Sequence, residues 1–379
     1  PYPDLPGTAE ASEAMDRMTY IIPCLGLVWC TRALLLSRPS WFRLLSFTIY
    51  ATGVAIAIIG ITQRWTEAKG IYWLEEYGSI DRKLFFGTYR SPGIAACYLN
   101  IALAMGLSLF LIPMDKRQSG KNTKLRLTRA MLHFSGIITL AAASVYTGSK
   151  TGAILTFFTL LAWALLNRRT IITAYHKSAE LFPGNRYLER NLVAIGILCI
   201  ALVAILSVAG NFFYRMDEAQ AGDFASLAGR GAVNAMQIEM IKYPDWGAMG
   251  YGPGSFYPLF PYYAKGHDIV GIYVYSHNDF LQTLVEWGWA GTSCFALIII
   301  GAALFLMRAI FILKADYRKW QVILMRGHLT AIAICLLHAL IDFPFQIESI
   351  AITMSVLLGA AWAVPALRIP ERDEETEQA

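Results

Sequence analysis

Apolar runs of bilayer-spanning length recur along almost the whole chain, and they leave few folds open. Lipid offers no partner to a backbone N–H, so a run of roughly 20 apolar residues crosses a membrane as a helix. Nine runs read as spans: Met18–Leu36, Phe42–Gln63, Gly93–Pro113, Ala130–Tyr146, Gly152–Leu166, Asn191–Gly210, Trp289–Leu313, His328–Ile341 and Ser349–Val364. Only 16% of the 379 residues are charged and 56% are hydrophobic, with a mean hydropathy of +0.46. A soluble domain would carry about 25% charged residues. The fold class is therefore all-α, a polytopic transmembrane helix bundle.

Charge in the loops orients the bundle. Lys116, Arg117, Lys121, Lys124, Arg126 and Arg129 crowd one loop; a second holds Arg168, Arg169, Lys177, Arg186 and Arg190; a third holds Lys314, Arg318, Lys319 and Arg326. By the positive-inside rule these three are cytoplasmic. Arg64–Pro92, the Thr147–Thr151 turn, Asn211–Ser276 and Asp342–Glu348 then face outward, as do residues 1–17. The net charge of +5 reflects this topology, with no nucleic-acid partner implied. The organisation is about six spans in 1–210, an outer loop over 211–276, three further spans over 277–365, and an acidic tail, 366–379, expected to be disordered. The chain begins at Pro1, and an outward N-terminus fits a sequence from which an odd number of preceding spans is missing. The six cysteines lie in or beside apolar runs without metal-ligand spacing and read as small buried hydrophobes.

The stretch Tyr275–Gly288 closes the long outer loop and opens the seventh span. Ser276 followed by Asp279 is a capping-box pattern, predicting a helix that starts at Ser276 and holds His277 in its first turn. The helix dipole there disfavours imidazolium, leaving a neutral ring able to accept a proton. Asn278, Gln282 and Glu286 recur every four residues as a polar stripe beside it. Spacing alone fits equally a histidine that merely caps a span.

An outer loop of this length usually has a function. It carries Arg215, then Gly229-Arg230-Gly231, a helix-like segment Ala232–Lys242, Pro244, and Gly250-Tyr-Gly252-Pro-Gly254. The glycine run lacks the strand and helix of a dinucleotide site and reads as backbone that bends sharply or approaches a ligand. The loop is net acidic, so Arg215 and Arg230 are isolated cations, either structural ties to those acids or ligand contacts. Lys150 sits at an outward turn, where it snorkels or binds something. His338 and Asp342, four apart near the end of the eighth span, read as a hydrogen-bonded pair that orients other groups or stabilises the helix end. The outward loops contain no Asp-x-Asp, no His/Cys cluster and no phosphate-binding P-loop, so the sequence offers no metal or nucleotide cofactor site.

These motifs resemble those of the bacterial O-antigen ligase and polymerase superfamily. The similarity lies in Gly-Arg at 229–230, the Gly-x-Gly-x-Gly-x-Phe run at 250–256, and Ser-His-Asn-Asp-Phe-Leu-Gln-x-Leu-x-Glu-x-Gly at 276–288. Gly87-Thr-Tyr-Arg90-Ser-Pro-Gly93 resembles the first outer-loop motif, and His338-x-x-x-Asp342-Phe343 the late-helix motif. The family usually has Ser-Arg where this chain has Ser149-Lys150, so charge is kept and the bidentate fork is lost. The resemblance implies a C-type glycosyltransferase-like fold in the bacterial inner membrane with a periplasmic active site. It implies a polyprenyl-diphosphate-linked glycan donor and a sugar hydroxyl acceptor, on lipid A–core or on another lipid-linked glycan. On this reading His277 is the base, and Arg230, Lys150 and Arg215 bind the diphosphate. Asn278, Gln282, Glu286, His338, Asp342, Arg90, Gly252 and Gly254 support them. Ligase and polymerase share these motifs. A glycolipid transporter or flippase would place its polar groups near the midplane on repeated elements, whereas here they cluster in outward loops.

Overall fold

The computed structural model describes residues 10–74, 85–112, 123–178, 219–242, 247–267, 269 and 271–369. Ten α-helices follow one another among the described residues: α1 (Ala11–Ser37), α2 (Trp41–Trp65), α3 (Pro92–Leu111), α4 (Thr123–Tyr146), α5 (Lys150–Ser178), α6 (Ala219–Lys242), α7 (Phe256–Tyr263), α8 (Asp279–Met307), α9 (Lys319–Ala339) and α10 (Glu348–Ala363). Eight of them are long and apolar enough to cross a membrane, α6 and α7 being the exceptions. Among the described residues the only β-type pairing is an isolated bridge between Phe86 and Tyr89. The chain is an all-α polytopic membrane protein. The predicted span Asn191–Gly210, Arg215 and the tail from 370 onward lie outside the described residues.

α3 is the axis of the bundle. Pro92 opens it in the first turn, where a missing N–H costs nothing, and Ser91 caps it by accepting from the Ile94 N–H. Nearly all of its residues are buried, packed among α2, α4, α5 and α9. Lipid supplies no hydrophobic drive between helices, so close backbone approach and polar clips must hold them. Gly53 of α2 abuts Ala102 of α3 so closely that a side chain would collide. Asn100 of α3 donates to the Gly152 carbonyl of α5 at 3.1 Å and accepts from Thr156 at 2.8 Å. These bonds anchor the Ser149-Lys150 end of α5.

Helices outrun their apolar windows. α5 continues past Leu166 through Arg168 and Arg169 to Ser178, and α1 begins at Ala11, seven residues before the predicted Met18. Composition marks the lipid-facing part, while the hydrogen-bond ladder continues wherever propensity allows. α6 likewise starts at Ala219, thirteen residues before the predicted Ala232, and the Gly229-Arg230-Gly231 segment is helical. Gly229 lets the helix approach Tyr273, whose hydroxyl would lie 2.7 Å from any Cβ there. α6, α7 and the start of α8 enclose a small second core of Val233, Met236, Met240, Phe256, Phe260 and Val285. It holds the outer-loop elements against the bundle.

Candidate functional site

The helix after Tyr275 starts two residues later than the capping-box pattern predicts. Asn278 is the N-cap, its Oδ1 accepting the Leu281 N–H at 3.2 Å, and α8 begins at Asp279. Ser276 is buried and makes a local turn, its Oγ accepting from the Asn278 N–H and donating to the Asn278 carbonyl. His277 therefore lies outside the helix, and the dipole argument does not apply to it. Its backbone is left-handed, φ +57°. For a non-glycine residue that costs of order 1–3 kcal/mol and concentrates at functional sites.

The strain turns the imidazole toward the end of α9. His277 Nδ1 lies 3.2 Å from Asp342 Oδ1, while Asp342 Oδ2 lies 3.5 Å from His338 Nε2. The Phe343 N–H also donates to Asp342 Oδ1, at 3.1 Å. α9 ends at Ala339, so Asp342 stands in the following turn and not on the helical face predicted for it. Burial alone would raise its carboxyl. The hydrogen bond from His277 and the nearby His338, together with the charge these rings carry when protonated, outweigh that and hold it well below the usual carboxylate range. In the neutral ring, an ionised Asp342 that accepts the Nδ1–H of His277 leaves the lone pair on Nε2. Nε2 has no hydrogen-bond partner among the described residues, and the ring is 24% exposed, wedged edge-on against Phe343 at 4.8 Å. Gly93, from the Gly87–Gly93 motif, abuts Asp342 Oδ2 so tightly that a Cβ would displace it.

The expected polar stripe faces elsewhere. Gln282 and Glu286 are fully buried and bonded to each other at 3.0 Å, and Gln282 Oε1 accepts the Ser276 N–H. Glu286 Oε2 accepts the Gly254 N–H at 3.0 Å. α8 breaks at Gly288 (φ 59°, ψ −168°), freeing the Val285 and Glu286 carbonyls. The N–H groups of Tyr251 and Gly252 take them at 3.0 and 2.9 Å. The glycine run thus makes its close approach to the chain's own helix. Asp279 has a part the capping pattern did not reveal: its buried carboxylate accepts the Phe345 N–H at 2.7 Å and Gln346 Nε2 at 2.9 Å, pinning α8 to the turn after Asp342.

Of the predicted cations, Arg230 reaches this centre. Its Nη1 donates to the Ile341 carbonyl at 3.5 Å, one residue from Asp342. Lys150 heads α5 and Arg90 lies in the turn before α3; both side chains are exposed. Their assignment to substrate rests on the motif resemblance alone. His277, Asp342, His338 and Arg230 are thus gathered from three separate stretches of chain.

Residues 135–296 match the family model described as O-antigen ligase. That segment takes in Lys150, Arg230 and the whole Ser276–Gly288 motif, while Gly87–Gly93 and His338–Phe343 lie on either side of it. No curated protein and no solved structure matches the chain. Over that segment, under half of the chain, the protein is similar to the O-antigen ligase family, and its helical membrane architecture is in keeping with that similarity.

Proposed function

We propose that the chain is an inner-membrane glycosyltransferase that moves a glycan from a polyprenyl-diphosphate carrier to a sugar hydroxyl, at a site facing the periplasm. The observation that carries the reading is the His277–Asp342 contact. It presents an unpartnered Nε2 at a strained, partly exposed position, the form a general base requires. The acceptor hydroxyl gives its proton to Nε2 as its oxygen attacks the anomeric carbon of the donor sugar. The bond from that carbon to the diphosphate oxygen breaks, and the electron pair leaves with the phosphate. Arg230, bonded to the Ile341 carbonyl next to Asp342, is proposed to meet that developing charge with its guanidinium; Lys150 and Arg215 are proposed to assist. One attack on the face opposite the leaving group inverts the anomeric centre. A lipid diphosphate is already a good leaving group, so no metal is assigned to the reaction.

The lipid A–core acceptor of a ligase is the acceptor we assign. The deciding experiment incubates purified protein and lipid-linked glycan with lipid A–core in one vessel and with further lipid-linked glycan in another. Glycan attached to lipid A–core establishes a ligase. Lengthened lipid-linked chains would make the protein a polymerase instead, and no transfer in either vessel would remove the enzymatic reading.

A further inference from the structure

Two thiols lie in contact between α3 and α9, behind the histidine pair. Cys97 Sγ and Cys335 Sγ are 3.8 Å apart, and both residues are fully buried. Among the described residues no other two thiols are in contact: Cys24 is part-buried, and Cys30 and Cys294 are exposed. Small residues bring the two helices together on either side of the pair. A Cβ on Gly327 of α9 would lie 2.3 Å from Ser108 Oγ and 3.1 Å from the Ala104 carbonyl of α3; one on Gly93 would lie 2.3 Å from Asp342 Oδ2. Helices held by such close approach leave little slack between them. To form a disulfide the sulfurs have only to close from 3.8 Å to ~2.05 Å.

The pair touches the groups that hold His277. The Cys97 thiol interacts with the His338 ring. Cys335 and His338 are three residues apart and share a face of α9. His338 Nε2 stands 3.5 Å from Asp342 Oδ2, and Asp342 Oδ1 lies 3.2 Å from His277 Nδ1.

We propose that Cys97 and Cys335 form a redox modification site, closed to a disulfide by hydrogen peroxide, and that closure disturbs the hold of Asp342 on His277. Peroxide is small and neutral, as entry into a close-packed interior requires. The Cys97 thiol gives its proton to the His338 ring while its sulfur attacks one peroxide oxygen. The O–O bond breaks, leaving a sulfenic acid on Cys97 and a hydroxide that takes the proton back from His338 to become water. The Cys335 sulfur then attacks the Cys97 sulfur. The S–O bond breaks, and the departing hydroxide takes the Cys335 proton as a second water. Two thiols and one peroxide thus become one disulfide and two waters. The new bond draws the Cys335 turn of α9 toward α3 and removes the thiol that meets His338. Misplacement by about 1 Å can cost about 10²-fold in rate. Slower transfer is therefore expected, and this second half of the proposal rests on the reading of His277 as the base.

The test uses the full chain in detergent micelles, carrying Cys24→Ser, Cys30→Ser, Cys199→Ser and Cys294→Ser. Peroxide should remove both remaining thiols together, as read by maleimide labelling after denaturation. Tryptic digestion should then give one linked product bearing Cys97 and Cys335, which dithiothreitol separates. Cys97→Ser in the same background should give no link, and Cys335→Ala makes the same test if that variant does not fold. Transfer by the linked protein should be at least about tenfold slower than by the reduced protein and return with dithiothreitol. Peroxide should leave transfer by Cys97→Ser unchanged. Both thiols still reactive after peroxide has oxidised free glutathione in the same vessel would overturn the site. A link with unchanged transfer would overturn its coupling to His277. If the reduced protein transfers nothing, the coupling falls with the proposed activity, while the linked product still decides the site.

Discussion

At the scale of single residues, the His277–Asp342 contact is where chemistry and strain coincide. Losing a general base costs about 10²–10⁴-fold in rate. His277→Ala should therefore express, keep its helix cap at Asn278 and transfer little, and His277→Gln should be nearly as inactive. Near-wild-type transfer by His277→Gln would leave the histidine only a positioning role. Asp342 acts through the ring, so Asp342→Asn should lower kcat with little change in KM. A carboxyl depressed in the folded state contributes stability that is complete above its unfolded value, ~3.9, and lost as pH falls through the lower folded value. The stability gap between wild type and Asp342→Asn should accordingly hold down to about pH 4 and close only below it, as followed by thermal unfolding across pH. Arg230→Ala should abolish transfer and Arg230→Lys should restore part, because the fork is lost. Normal transfer by a well-expressed Arg230→Ala protein would make that arginine a structural tie to the Ile341 carbonyl.

At the scale of elements, the break in α8 organises the outer loop. Gly288 adopts backbone angles open essentially to glycine alone, and the carbonyls it frees hold the glycine run in place. Gly288→Ala should cost about 1–3 kcal/mol through backbone strain. Gly250→Ala should also destabilise, since its φ is +72° and a Cβ would meet the Gly288 nitrogen at 2.5 Å. Both should lower the unfolding temperature, while an alanine at exposed Gly247, with open space around it, should cost less. Equal loss at all three positions would show that the docking of the glycine run contributes nothing specific.

At the scale of the whole molecule, orientation and metal use are the open variables. The Lys/Arg asymmetry predicts that residues 211–276 lie outside and 115–129 inside. Single cysteines at Ser226 and Ser119, in a cysteine-free background, should react oppositely with an impermeant maleimide on cells with a permeable outer membrane. Labelling at 119 but not at 226 would put the proposed site on the wrong side. Transfer should also survive EDTA; loss that Mg²⁺ or Mn²⁺ restores would reveal a metal site.

Eight of the nine predicted spans and the motif resemblance were legible in the sequence, because apolar length and glycine, proline and histidine spacing are local properties; the ninth, Asn191–Gly210, lies outside the described residues. Helix ends were less so: α1, α5 and α6 run beyond their apolar windows because backbone hydrogen bonding does not stop where lipid does. The site was only half legible. His277, Asp342 and Arg230 could be named from their motifs, but not how they meet. Asn278 taking the cap from Ser276 goes with a left-handed turn at His277, and the sequence pattern, which offers both residues as caps, does not choose between them. The parts of Asp279 and Gly93 depend on contacts with residues 66 and 249 positions away along the chain. No local pattern encodes such contacts. Only the packing of α3, α8 and α9 decides them.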